Sequence, residues 1–449
     1  MVASLAAKQS ERGRGDVTWH ELLLGSADRV ADAVGILHRP FPLERMLAQA
    51  RKHSGLDDFG DERFAVPLRR LLDSCLAEAD LSLVGRIVVH WDVARFLRNL
   101  LHLREAERAA PEILRQRIVA PTFVTGLPRS GTSFLHMLLM QDPENMVPTV
   151  WQTLYPYPDR TARRGRRDPR VARVARYLRL FERLAPEFRS LYPIAPDTPQ
   201  ECSDITAHVF ASLRFDTNYR IPSYRAWLDA TGHLPAYRFH RRFLQHLQYQ
   251  RATGGTWVLK CPDHVFALDA IRDVYPDARM VFVHRDPVKV LESVTRLTEV
   301  LRRPFSRHID RCEIGAQESL RWLGGAQRMI DAADRDAFAT PICHIRYRDL
   351  IADPLSTIEA MYRHFGLALS STAAERIRLS VAEQPNGGYG EHHYRIEDYG
   401  LEPLHESERF AEYMARFDIA PEGPGRCSNR QSSPRPRRPA VAVAVPATR

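Results

Sequence analysis

A chain of 449 residues, 44% hydrophobic and 27% charged, has the composition of a globular protein with a large core, and its length suits two or three domains. No stretch approaches the roughly 18–20 apolar residues of a membrane-spanning helix, and Met1–Asp16 lacks the apolar core of a signal peptide, so a cytoplasmic protein is expected. The net charge of +9, mostly arginine, favours anionic partners, and six scattered cysteines without a Cys-x-x-Cys pair read as reduced and structural, neither a zinc site nor a disulfide framework.

Residues 1–16 are polar without periodicity and read as a flexible arm. From Trp19 to about Glu112 apolar residues recur at three- and four-residue steps (Leu68, Leu71, Leu72, Cys75, Leu76), which predicts a helical preface over 17–117. Thr122–Gln141 changes the pattern. Apolar β-formers (Phe123, Val124) lead through a small-residue turn, Gly126-Leu-Pro-Arg-Ser-Gly-Thr-Ser133, into a helical run carrying Phe134, Leu135, Leu138 and Leu139. Backbone N–H groups of such a loop and of the following helix start converge on an anion. A Walker loop would place lysine directly after Gly131; here Thr132 stands there and the cation sits earlier, at Arg129.

Asn145–Tyr157 is rich in proline and aromatics, and Asp159–Glu187 is dense in arginine. Asp168-Pro169 reads as a helix start, with Val171, Val174, Leu178, Phe181 and Leu184 on one side and Arg163, Arg166, Arg170, Arg173 and Arg176 over the remainder. The arginines form either a solvated face or a surface for anionic lipid. Pro199-Gln-Glu201 opens a further helix, and another spans about Leu234–Arg251. Thr256–Lys260, Arg279–Val283 and Ile342–Tyr347 are short apolar runs expected as strands, the second continuous enough to be buried on both faces. Asp286-Pro287 starts the next helix, and Pro354–His364 another. Strands alternating with helices indicate an α/β fold with a parallel sheet and crossover helices, one domain over 17–420 whose core is 118–420. A glycine-rich stretch, Asn386–Arg395, precedes helix-like Ser407–Phe417, and 421–449 is too poor in bulky apolar groups to build a core and is expected to be disordered.

Gly126–Ser133, Lys260–His264 and the Arg285/Ser293 pair each follow a predicted strand, where open α/β sheets bind ligands. Over roughly Pro121–Leu401 these motifs resemble the sulfotransferases that use 3′-phosphoadenosine 5′-phosphosulfate, in particular their bacterial branch. The resemblance implies a P-loop-type three-layer fold and assigns the 5′-phosphosulfate to Gly126, Arg129, Ser130, Gly131, Thr132 and Ser133. Arg129 stands where family members often carry lysine; its bidentate guanidinium still clamps phosphate. Arg285 and Ser293, eight residues or about two helical turns apart, match the 3′-phosphate motif. Gly387-x-x-Gly390-x-x-His393 resembles the family's closing Gly-x-x-Gly-x-x-Lys segment, with Arg395 as a substitute cation.

The reaction then needs a base for the acceptor hydroxyl. His264 is the candidate, because neutral imidazole serves near pH 7, with Lys260 stabilising charge and Glu201 as the reserve base, since some family branches use a carboxylate. His264→Ala is expected to lose most turnover and keep cofactor binding. Asp286 is only a displaced candidate for a magnesium ligand, so no metal dependence is expected. The alternatives are a Mg-ATP phosphotransferase or hydrolase on the same loop, and a non-catalytic nucleotide- or nucleic-acid-binding protein; no aromatic-interleaved nucleic-acid motif appears. The acceptor is expected to be a small or lipid-like alcohol, met by aromatics near Tyr155, Tyr157, Phe210, Phe215, Tyr224 and Trp227, with peripheral membrane contact through the arginine-rich helix.

Overall fold

The computed structural model describes residues 19–158, 167–191, 194–251, 254–383 and 395–423. Five parallel strands form one sheet in the order β2-β3-β1-β4-β5: β1 (Thr122–Gly126), β2 (Asn145–Met146), β3 (Thr256–Lys260), β4 (Arg279–His284) and β5 (Cys343–Arg346). The parallel α/β sheet expected from the alternating pattern is present. Its register sets Val124 opposite both Lys260 and Val281, and Gly126 opposite Val283. The C-terminal ends of β3, β1 and β4 therefore lie side by side, and the chain leaves central β1 toward one edge before returning to the other.

The strands are short and apolar because both faces are covered. On β4, Met280 and Phe282 join one buried cluster while Val281 and Val283 join another, the period of two that a strand imposes. The first cluster also takes in Leu68, Leu72, Phe96 and Leu101, so the N-terminal helices Leu43–Ser54, Ala65–Ala77 and Leu83–Ala109 pack on the sheet. The second is closed by the helices Thr132–Leu139 and Pro354–His364. The proline-led helix starts form as the sequence indicates. The Asp168 side chain accepts from the N–H of Arg170, and that of Asp286 from Val288, each ahead of a first-turn proline.

Several elements depart from the sequence expectation. The edge strand β2 has only two residues and sits inside the proline- and aromatic-rich stretch, too short to show a period. Helices Arg311–Asp334 and Ser371–Glu383 are not among the expected elements, although Ile314, Trp322, Ala326, Met329 and Ile330 recur at helical steps on the buried face of the first. Ser407–Phe417 is split into Pro403–Arg409 and Ala411–Arg416. The expected arm at 1–16 lies outside the described residues, and so does the expected tail beyond Gly423.

Candidate active site

Backbone conformation builds the loop after β1. Gly126 has φ 148° and Gly131 φ 91°, and a Cβ on Gly126 would lie 2.1 Å from the carbonyl oxygen of Val283 on β4. Only glycine lets the two strand ends approach so closely. Arg129 also has positive φ, 61°, a conformation rare outside glycine. The Oγ of Ser130 is buried and donates to the carbonyl of Leu127 at 2.6 Å, so this hydroxyl holds the turn. Thr132 and Ser133 then open the Thr132–Leu139 helix, whose first N–H groups face the loop.

The two anion motifs meet. Arg129 Nε donates to Ser293 Oγ at 2.9 Å, and Arg285 Nη1 donates to the Arg129 carbonyl at 2.8 Å, with the Arg285 guanidinium 4.0 Å over the Tyr347 ring. Beside them, Lys260 is buried at the end of β3, and its Nζ donates to Ser133 Oγ (2.9 Å) and Glu201 Oε1 (2.6 Å). Glu201 is held there by backbone: the N–H of Cys202 donates to the Lys260 carbonyl at 3.0 Å, and that of Gln200 to Pro148 at 2.8 Å. The segment thus lies across the ends of β2 and β3.

Most of these groups border one cavity of about 1440 Å³, while Gly126, Ser130 and Lys260 lie behind its wall. Arg129, Gly131, Thr132, Ser133, Glu201, Arg285, Ser293 and Arg395 all line it. His264 does not. It is fully buried, its Nδ1 2.5 Å from the Tyr237 hydroxyl and its ring edge-on to Phe123 at 5.0 Å, and its Nε2 has no hydrogen-bond partner among the described residues. Burial, then the neighbouring His240 and Lys260, push its pKa well below the ordinary value, so it is held neutral within the core. The cause is local: β3 does not continue past Lys260 but tightens into a 3₁₀ turn, Pro262–Phe266, which lines the cavity with Pro262 and Asp263 and turns His264 inward. Gly390 and His393 lie outside the described residues.

The aromatics expected around the acceptor are elsewhere. Phe210, Phe215 and Tyr224 are buried against one another, 6.5 and 6.1 Å between successive ring centroids, and belong to the core. The cavity's apolar wall comes instead from Leu178, Phe181 and Leu184 of the Pro169–Leu184 helix, facing Val294, Leu297 and Leu301 of the Pro287–Arg302 helix. Further polar groups line it that the sequence did not single out. Arg214 pairs with Asp92 (3.1 Å) and Asp204 (3.0 Å), and Arg321 with Asp263 (2.6 Å), whose pKa burial pushes up to about 6. The arginine-rich helix is not uniformly solvated either: Arg170 is buried, donating to the Tyr155 carbonyl and stacked 4.5 Å over Trp151, while Arg176, Arg179 and Arg183 are exposed.

A parallel sheet with a glycine-shaped loop after its central strand, an arginine and a serine following the neighbouring strand and a deep adjoining cavity is the arrangement of an enzyme that moves a charged group from a phosphorylated donor. The sequence profile of the Sulfotransferase family matches residues 121–371, more than half of the chain, and the chain belongs to that family. It is 32% identical to the sulfotransferase STF1 from Mycobacterium tuberculosis, whose crystal structure it matches over 84% of this chain and 100% of that one with a TM-score of 0.73. The crystal structure of STF9 from Mycobacterium avium is 26% identical, over 85% of this chain and 98% of that one, TM-score 0.77. The omega-hydroxy-beta-dihydromenaquinone-9 sulfotransferase Stf3 of Mycobacterium bovis and M. tuberculosis is 24% identical over 312 residues, 65% of this chain and 74% of the relative. The protein is a sulfotransferase that uses a sulfuryl donor, and the nucleotide-hydrolase and passive-binding alternatives fall.

Proposed function

We propose that the donor is 3′-phosphoadenosine 5′-phosphosulfate, that the acceptor is a lipid-like alcohol, and that Glu201 is the base. When bound, the donor supplies an electrophilic sulfuryl group whose bond to phosphate breaks as the acceptor oxygen attacks. The residues fit such a molecule: the positive-φ turn Gly126–Gly131 leaves room for a phosphate against backbone N–H groups, and Arg285 and Ser293 face it from β4 and the helix that follows. Gly390 and His393 keep the role the family resemblance implies, with Arg395 at the cavity rim.

One observation carries the assignment of the base. Glu201 is the carboxylate that both borders the cavity and is joined, through Lys260, to Ser133 of the anion loop. A carboxylate there takes the acceptor proton while Lys260 holds it in place and offsets its charge. Arg129 supplies the permanent positive charge beside the leaving phosphate, and since a guanidinium does not release its proton it acts by electrostatics.

The acceptor class rests on the apolar wall that adjoins Glu201 and on the omega-hydroxyl of a menaquinone that names the relative Stf3. Two apolar residues that line the cavity are also exposed, Ile87 at 59% and Leu180 at 56%, and so mark its rim, Leu180 on the same helix as the exposed Arg176, Arg179 and Arg183. An apolar rim with arginines along one side suits the surface of an anionic bilayer, from which such an alcohol would enter. Among the described residues no helix is long and apolar enough to cross a membrane. Calorimetric titration tests the donor: tight, metal-independent binding of adenosine 3′,5′-bisphosphate is expected, and preference for Mg-ATP overturns it. Co-sedimentation with phosphatidylglycerol vesicles tests the surface: Arg176→Glu/Arg179→Glu should release the protein, and unchanged sedimentation rejects that face.

A further inference from the structure

The arginine assigned to the donor's 3′-phosphate already holds an anion from its own chain. Arg285 Nε and Nη2 each donate to one oxygen of Glu422, both at 2.9 Å, while its Nη1 is committed to the Arg129 carbonyl. The N–H of Glu422 donates to Asp286 Oδ2 at 2.7 Å, and Asp286 Oδ1 caps the helix that carries Ser293. Glu422 and Gly423 line the same cavity as the anion loop. The pair is only partly exposed, 19% for Arg285 and 33% for Glu422 at the side chain.

The chain reaches this point by an anchored route. Phe417 stacks on His284, the last residue of β4, with ring centroids 4.1 Å apart, and Tyr413 hydrogen-bonds to His284 at 3.1 Å. Asp418 takes φ 51°, which reverses the chain, and its carboxylate accepts from Arg346 of β5 at 2.7 Å. Residues 419–422 then run to the end of β4. These contacts deliver a carboxylate to the arginine edge that a phosphate would use.

We infer that Glu422 is a self-supplied anion that competes with the 3′-phosphate of the donor, so that the segment Asp418–Gly423 sets the donor concentration at which the enzyme works. The inference rests on the donor reading above. A carboxylate and a phosphate take the same bidentate edge of a guanidinium, and the phosphate carries more charge and adds Ser293 as a partner. Donor therefore displaces Glu422 without competing against Arg285's third bond, the one to the loop. Apparent donor affinity is lowered by the fraction of molecules in which the carboxylate occupies the clamp.

The test is calorimetric titration of the full chain and of Glu422→Gln with adenosine 3′,5′-bisphosphate, beside their melting temperatures. Glutamine keeps shape and loses charge; the dissociation constant should fall by about tenfold. Glu422→Ala should act in the same direction. In turnover, KM for the donor should fall and kcat stay level, a split that a purely structural anchor would not give. An unchanged or weaker affinity in folded Glu422→Gln overturns the inference while leaving the donor assignment intact. If neither the full chain nor Glu422→Gln binds the bisphosphate, the donor assignment fails and this inference with it.

Discussion

Glu201→Gln separates the proposed base from the other duties of that side chain. Lys260 is buried and 2.6 Å from Glu201, so removing the carboxylate strands a positive charge. Glutamine leaves an oxygen to accept from Nζ, and Ser133 remains as a second acceptor at 2.9 Å. The stability cost is then that of a weakened charged hydrogen bond, about 1–3 kcal/mol, against a typical total of about 5–15 kcal/mol. The variant stays folded. Proton removal by a placed base contributes about 10²–10⁴ in rate, or about 3–5 kcal/mol of barrier. Turnover of a polyprenyl alcohol with radiolabelled donor should fall by that factor, with bisphosphate binding little changed, since Glu201 reaches the loop through Lys260. His264→Ala should do the reverse. It loses packing on Phe123 and the Tyr237 hydrogen bond, costing about 2–4 kcal/mol, yet the folded fraction should keep its turnover. A folded but inactive His264→Ala, or Glu201→Gln within tenfold of the parent, refutes the reasoning.

Three further outcomes are expected. Arg129→Lys has one ammonium to share between Ser293 and phosphate where the guanidinium serves both, so the bisphosphate dissociation constant should rise about tenfold, and unchanged titration would show that charge alone suffices. Gly126→Ala drives a methyl into the Val283 carbonyl at a φ that L residues avoid and should cost about 3 kcal/mol or more in denaturant unfolding; parental stability would contradict the close approach. His136, His208 and His240 are held by burial at pKa values of about 3, below the ordinary 6.5, so each favours folding above pH 6.5 and loses about 1.4 kcal/mol per unit below it. Asp263, raised to about 6, opposes them by gaining stability as pH falls toward 3.8, but the histidines outweigh it, the more so because His233 and His344 are held at about 4 and His264 and His284 are also pushed well down: urea unfolding should show a net loss of about 3 kcal/mol or more from pH 7.5 to 5.5, and a flat profile counts against the burial.

The anion-binding half of the site was readable because its signals are local. A loop needing positive φ writes glycines at 126 and 131, and a proline-led helix start writes Asp286-Pro287. The family resemblance supplied the pairing of Arg285 with Ser293. The acceptor half proposed above is assembled from distant segments: Glu201, Arg214, Leu297 and Arg321 share a cavity only because one loop and three helices from separate parts of the chain face it. His264 illustrates the difference. Four residues past Lys260 it stood at a strand exit, and one 3₁₀ turn, invisible to periodicity, sent its ring into the core. Glu422 was hidden by composition, since the proline- and arginine-rich stretch around it shows no apolar period and its partner lies 137 residues earlier.

The missing Walker lysine has a structural counterpart in Arg129. Its left-handed backbone costs on the order of 1 kcal/mol, and such a residue persists only where its surroundings hold it. Here they do so at both ends: the side chain reaches Ser293 on the helix after β4, and the carbonyl accepts from Arg285 at the end of that strand. The conformation that points the guanidinium across to Ser293 also turns the carbonyl toward Arg285. One strained residue thereby ties the loop after β1 to the clamp after β4, so a change at Ser293 or Arg285 alters the loop's hydrogen bonds as well as its own. The positive charge that a Walker loop places at the helix start is moved here to the seam between the two proposed anion sites, where it would serve the proposed donor, which carries phosphate at both ends.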